Sequence, residues 1–219
     1  MIKKVVIVLF VFVIIIMCIY GYYGGFTSIK VTTESHTSFY GISIKHVGDY
    51  RQIGGPMTKL DSKMRLKGIE ATKGFGIYYD NPQTTETEKL RAIAGSIIKE
   101  SDIEKTVELG ADAELIEVPD ITGYTVRFPY KGTLSFIVAV MKVYPFLTET
   151  CKETGFKIET PTIEIYDMKN GEIVFIVPTN LSKERANNWW IGKDEVGNPD
   201  NQDSLTAITD SSERIPEEN

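Results

Sequence analysis

Sixteen consecutive apolar residues, Val5 to Tyr20 (VVIVLFVFVIIIMCIY), follow Lys3 and Lys4, and no further charge occurs before Lys30. At about 1.5 Å per helical residue the run is slightly short of a ~30 Å hydrocarbon core, but Gly21 to Phe26 extend it. The pattern predicts one membrane-spanning helix within residues 1–26. Tyr20, Tyr22 and Tyr23 are placed at its far interface and the two lysines at the near, cytoplasmic one, which exports the remainder of the chain. A cleaved signal peptide is the rival, but no small-x-small site comes cleanly after the run.

After Lys30 the period shortens. Tyr40, Ile42, Ile44 and His46 alternate with Gly41, Ser43 and Lys45, the signature of a strand with one buried face. Gly55-Pro56 opens a helix with Met57, Leu60 and Met64 on one stripe. Lys73 to Tyr79 and Arg91 to Ile98 read as strands, and Ser101-Asp-Ile-Glu104 as a capping box for a short helix ending at Gly110. Ala113 to Val118 suits an edge strand, and Tyr124, Val126 and Phe128 alternate in the next. A long apolar helix runs from Thr133 through Leu134, Val138, Met141 and Leu147, with Pro145 expected to kink or divide it. Thr162–Asp167 and Glu172–Val177 flank Asn170-Gly171, a strong hairpin signal.

The order strand, helix, strand, strand thus occurs twice. "GIYYD" (76–80) echoes "IEIYD" (163–167), and "IKHVGDY" (44–50) echoes "VRFPYKG" (126–132). The expected fold is α+β: tandem βαββ repeats forming an antiparallel sheet, both long helices on one face, behind one transmembrane helix. The domain occupies residues 27–180. On this alignment Tyr79 is the mate of Tyr166 and Ile77 the mate of Glu164. If Ile163 and Ile165 face the helices, Glu164 and Tyr166 share the opposite, concave face with Tyr79, while Tyr78 lies beneath the helices.

Composition narrows the chemistry. Residues 181–219 hold nine acidic side chains against four basic ones, so most of the net charge of −6 lies in a tail expected to be disordered. No run of basic residues with interleaved aromatics occurs, which argues against nucleic acid as a partner. Cys18 lies in the apolar segment and Cys151 in a helix, so no disulfide framework is expected. His36 and His46 have no ligand cluster beside them, so neither a metal nor a cofactor is expected. His46 reads as a satisfied core residue. No G-x-S-x-G, P-loop, G-x-G-x-x-G or H-E-x-x-H is present, and "GFGIYY" lacks the third glycine.

"HVGDY", "GIYYDNP", "LRAIAG", "VRFPYKGTLS" and "TPTIEIYD", in this order behind a membrane span, resemble the GyrI-like domain of the single-pass testis-expressed membrane proteins. That group includes a receptor for autophagy of the endoplasmic reticulum. The resemblance covers roughly Gly24 to Pro178. Through the wider GyrI-like and SOUL-like superfamily it implies tandem halves with a small-molecule cleft between them and a glutamate at its polar centre, here Glu164. Some relatives sense ligands for transcription regulators, and others are hydrolases. The family's autophagy motif, an aromatic residue with an aliphatic one three positions on, is not supplied by either Trp189 or Trp190. Tyr144-Pro-Phe-Leu147 has the spacing but lies in the predicted helix.

The resulting expectation is a membrane-anchored, non-catalytic domain that binds an amphipathic or cationic small molecule through Glu164, Tyr166, Tyr79 and Phe128. One alternative is a hydrolase with Glu164 as general base and Tyr166 as acid. Another is a tethering protein that engages partners through its tail.

Overall fold

In the computed structural model, which describes residues 2–110 and 113–191, helix α1 (Ile2–Tyr22) is followed by strands β1 (Thr32–His36) and β2 (Phe39–Val47). Helix α2 (Gly54–Leu66) leads to β3 (Lys73–Tyr78), β4 (Arg91–Ile98), a 3-10 helix over Glu100–Leu109, and β5 (Glu114–Val118). Then come β6 (Ile121–Pro129), α3 (Leu134–Glu153), β7 (Thr162–Asp167) and β8 (Glu172–Pro178). Residues 1–181 form one compact unit. The helix α4 (Lys183–Ile191) belongs to a second unit and is capped within it by Ser182, whose Oγ accepts from the Arg185 N–H at 3.2 Å. Residues 192–219, the greater part of the acidic tail, lie outside the described residues.

All eight strands join one antiparallel sheet in the order β1-β6-β8-β7-β3-β4-β2-β5. β1 lies at one end of this order and β2 next to the other, yet Thr37 and Ser38 alone connect them. Pro119 and Asp120 likewise join β5 at the far end to β6. Two-residue links cannot bridge a flat sheet seven strands wide, since neighbouring strands lie about 4.8 Å apart. The sheet is therefore curled until its ends meet, and the Ser38 N–H donates to Asp120 Oδ1 at 2.7 Å across the join.

Both faces of the curled sheet are buried in its centre. The inner face carries Phe75, Ile77, Ile93, Ile163 and Ile176, all at 1% exposure or less. The Phe75 ring lies where Cβ atoms on Gly41 and Gly95 would stand, at 2.5 and 2.8 Å. The outer face carries the helices. α3 packs Ala139, Val143, Leu147 and Cys151 against Val126, Phe128, Ile173 and Phe175, while α2 packs Leu60 and Met64 against Ile42 and Ile98. Both long helices thus lie on one face, as expected, and α3 runs through Pro145 as a single element.

β1 had no counterpart in the hydrophobic pattern: its residues, TTESH, are polar, and it is held at the sheet's edge by pairing with β6. His46 is half-buried, and its Nε2 lies 3.0 Å from the Asp49 carbonyl, which satisfies it.

α1 is long and apolar enough to cross a membrane. α3 is also long and apolar enough, but its buried stripe makes it a core helix of the domain. The end of α1 is tied to the domain. Gly24, at φ 94°, fits beneath Phe128, where a Cβ would come within 2.6 Å of the ring. Lys142 on α3 donates to the carbonyls of Gly25 and Thr27 at 2.5 and 2.7 Å.

Candidate functional site

The centre of the sheet's outer face lies between α2 and α3, where β3 pairs with β7. The register aligns Ile44, Ala94, Gly76, Glu164, Phe175 and Val126 in one row across six strands. Residues directly opposite share a face, so Glu164 stands on the helix-bearing side. This corrects the placement of Glu164 and Tyr166 on a face opposite the helices. Ile163 and Ile165 point instead into the curl, where a second apolar interior takes them.

The same register corrects the partner of Tyr166. Gly74 pairs with Tyr166 and Gly76 with Glu164, so even-numbered residues of both strands share the outer face. Tyr78, not Tyr79, is thereby brought to the site. The Tyr78 and Tyr166 hydroxyl oxygens are 2.7 Å apart. Tyr79 has the opposite parity and stacks under the Arg91 guanidinium, 5.6 Å from its ring centre. Asp80 clamps that arginine, accepting from Nε at 2.9 Å and from Nη2 at 2.8 Å, which fixes the end of β3 against the start of β4.

Glu164 is 5% exposed and is the polar centre of a ring of tyrosines. Tyr144, from α3, donates to Oε1 at 2.6 Å, and Tyr166 donates to Oε2 at 2.9 Å. Tyr50 packs edge-on to Tyr78 with ring centres 5.0 Å apart, and its hydroxyl lies 2.9 and 3.0 Å from the carbonyls of Arg91 and Asp80. Phe136 meets Tyr166 edge-on at 5.3 Å. Glu164 is buried while Tyr50, Tyr78, Tyr144 and Tyr166 are half-buried, so the carboxyl lies deeper than the rings around it, at the base of the tyrosine cluster.

Glycines make the room. A Cβ on Gly76 would lie 2.7 Å from the Tyr78 ring, and one on Gly74 would lie 3.2 Å from the Tyr166 ring. The rings lie over a floor without side chains, which is the structural meaning of the "GFGIYY" spacing. Gly76→Ala is expected to displace Tyr78, break its contact with Tyr166 and destabilise the domain by about 1–3 kcal/mol. Urea denaturation measures this, and an unchanged midpoint would contradict the floor assignment.

Burial pushes the Glu164 carboxyl up to about 7, against the pull of the two tyrosine donors, which favour the anion. Burial also raises the Tyr50, Tyr78, Tyr144 and Tyr166 hydroxyls, so they remain protonated donors across the physiological range. Phe128 is not part of this cluster: at 1% exposure it packs beneath α3 and against Gly24. Tyr144, which the pattern placed in a helix without a role, makes the shorter of the two hydrogen bonds to Glu164, and Leu147 of the same "YPFL" stretch is core. Among the described residues no three His, Cys, Asp or Glu side chains gather as metal ligands.

The profile of the GyrI-like small molecule binding domain matches residues 30–180. The chain is 30% identical over 162 residues to the testis-expressed protein 264 homolog of Mus musculus, covering 67% of this chain and 48% of that protein. It is 30% identical over 146 residues to testis-expressed protein 264 of Homo sapiens, covering 61% and 42%. The chain thus spans about half the length of the curated relatives it matches. The crystal structure of the EcmrR C-terminal domain superposes with a TM-score of 0.51 at 12% identity, over 68% of this chain and 96% of that one. EcmrR in its DNA complex gives 0.52 at 12% identity, over 68% and 57%. A curled antiparallel sheet with two helices on its outer face and a profile match over most of the domain agree: the chain belongs to the GyrI-like small molecule binding domain family.

Proposed function

We propose that the protein is a membrane-anchored binder of amphipathic, aromatic cations and performs no catalysis on them. The observation that carries this reading is Glu164: a buried carboxyl beneath half-buried aromatic rings, with a tyrosine hydroxyl on each oxygen. A buried carboxylate is costly without a positive partner, and flat rings around it suit a cation whose charge is spread over an apolar body. In this reading Glu164 holds the charge, Tyr144 and Tyr166 orient it, and Tyr78 and Tyr50 supply the opposite wall. Tyr79 and Phe128 leave the binding set.

We also read the fold as two βαββ halves. β2–α2–β3–β4 and β6–α3–β7–β8 have the same order of elements, and their strands lie as β2-β4-β3 and β6-β8-β7. The parity of the register matches Tyr78 to Tyr166 and Gly76 to Glu164, so the tyrosine cluster straddles the junction of the halves, with its acid in the second.

Titration of the full chain with methyltriphenylphosphonium tests the ligand class: saturable binding is expected. Turnover of any ester or amide that Glu164→Gln abolishes would replace this reading with the hydrolase, Glu164 as base and Tyr166 as acid. Both Glu164 oxygens are engaged by tyrosines, which favours binding over proton abstraction. Recruitment of proteins by residues 181–219 alone would mark the tail as a separate tether.

The anchor is α1, with its amino terminus in the cytoplasm and the domain exported, on the strength of Lys3 and Lys4. Protease added outside intact cells is expected to digest the domain. Protection there, with digestion only after lysis, would place it in the cytosol.

A further inference from the structure

The outward surface of α3 breaks the rule that a core helix shows water its polar side. Leu134, Ile137, Val140 and Met141 are 44, 58, 43 and 72% exposed, and residues 134–141 contain no charge. This uncharged first part of α3 stands in contrast to α2, whose outer positions include Lys59, Ser62, Lys63 and Arg65. An apolar stripe of this extent on a helix is the mark of a surface that meets something other than water.

The position of the stripe indicates what that is. Lys142, one residue beyond Met141, holds the carbonyls of Gly25 and Thr27, three and five residues past the end of α1. Tyr22 and Phe26, at that end, are 64 and 65% exposed, as interfacial aromatics are in the absence of lipid. Gly24 under Phe128 fixes the connection at a second point. The middle of α3 is thus within a lysine's reach of the place where the chain leaves α1, and the exposed Lys131 precedes the stripe as a headgroup-facing cation would.

We propose that the outer face of α3 rests on the lipid bilayer in which α1 is anchored, with Leu134, Ile137, Val140 and Met141 in the headgroup–acyl boundary. The stripe is continuous with Tyr144, the α3 member of the tyrosine cluster, so docking brings the cluster to the membrane surface. A membrane-dissolved amphiphile then reaches Glu164 without crossing water. The docking rests on the anchor reading of α1 and is independent of the ligand reading.

The test uses the full chain in phosphatidylcholine vesicles, in a Cys18→Ser background, Cys151 being buried. An environment-sensitive fluorophore is placed on Ile137→Cys or Met141→Cys, on Ile14→Cys within α1, and on Thr37→Cys in the β1–β2 turn, beside Ile121 at the far end of β6 from Phe128. Lipid carrying a spin-label quencher is then included, at a shallow position for the labels at 137, 141 and 37 and at a deep acyl position for the label at Ile14→Cys. Labels at 137 and 141 are expected to lose fluorescence by about twofold or more, as suits groups some 5–10 Å into the boundary, with Thr37→Cys unaffected. Quenching at Ile14→Cys without quenching at 137 and 141 overturns the docking and leaves the anchor. No quenching at Ile14→Cys overturns the anchor reading and the docking with it.

Discussion

Glu164→Gln is expected to weaken binding of an aromatic cation by at least about 30-fold, because removing one partner of a buried charge pair costs about 2–5 kcal/mol. The wild-type affinity should also depend on pH. A cation pairs with the ionised carboxyl, which titrates at about 7. Below that value affinity should fall about tenfold per pH unit, with a proton released on binding, and above it affinity should level off. The same group sets a stability profile. Its ordinary value is 4.5, so between 4.5 and about 7 the folded protein holds a proton that the unfolded chain has released. Its contribution to stability is full below 4.5 and is lost as pH rises to about 7, roughly 3 kcal/mol in all at about 1.4 kcal/mol per pH unit. Gln cannot ionise, so the variant should be flat across this window and more stable than wild type at pH 8. Calorimetric titration with methyltriphenylphosphonium at pH 6 and 8, beside urea denaturation over the same range, reads both effects. Equal affinity of the variant and wild type at pH 8 would remove Glu164 from the site.

Phe75→Ala is expected to cost about 3–5 kcal/mol, the range for truncating a fully buried aromatic. Phe75 is 0% exposed, lies over Gly41 and Gly95, and contacts Phe39 with ring centres 5.4 Å apart. The glycines cannot follow the lost ring, since they have no side chains to move. The cavity would open on the inner face of the sheet, while the tyrosine cluster around Glu164 is on the outer face. The variant should therefore denature at lower urea and, where still folded, bind the cation with nearly unchanged affinity. Tyr78→Ala is its counterpart, weakening binding more than folding. Loss of affinity in Phe75→Ala at full folding would show that the two faces are not separate.

Seven of the eight strands, the Asn170-Gly171 turn, both long helices and the apolar N-terminal helix were legible from periodicity alone. Which face of β3 and β7 meets the helices was not. A strand in an open sheet alternates buried and exposed positions, so Phe75, Ile77 and Tyr79 seemed to mark one side. In a curled sheet both sides are buried, and alternation then only separates two interiors. The discriminating signal was Gly74 and Gly76: small residues two and four positions before Tyr78 clear space on its face for rings. Tyr144 could not be paired with Glu164 from spacing, because their contact depends on how α3 crosses the sheet. Glu164 itself looked like any strand glutamate, and only the family resemblance singled it out. β1 escaped notice since its polar residues are placed by the curl and not by burial of an apolar stripe.

The pairing of β3 with β7 joins residues about 88 positions apart, as Gly76 and Glu164 are. The hairpins β3–β4 and β7–β8 can close locally, but this seam waits until β7 has been synthesised, and loop closure over such a length is among the slower events in folding. The floor glycines come from one side of the seam and the acid from the other. No nascent fragment that ends before β7 therefore holds both sides of the site, and binding of the proposed cation would report that β7 has been made. On the proposed reading, a ligand would act late, across a seam that only the β3–β7 pairing completes.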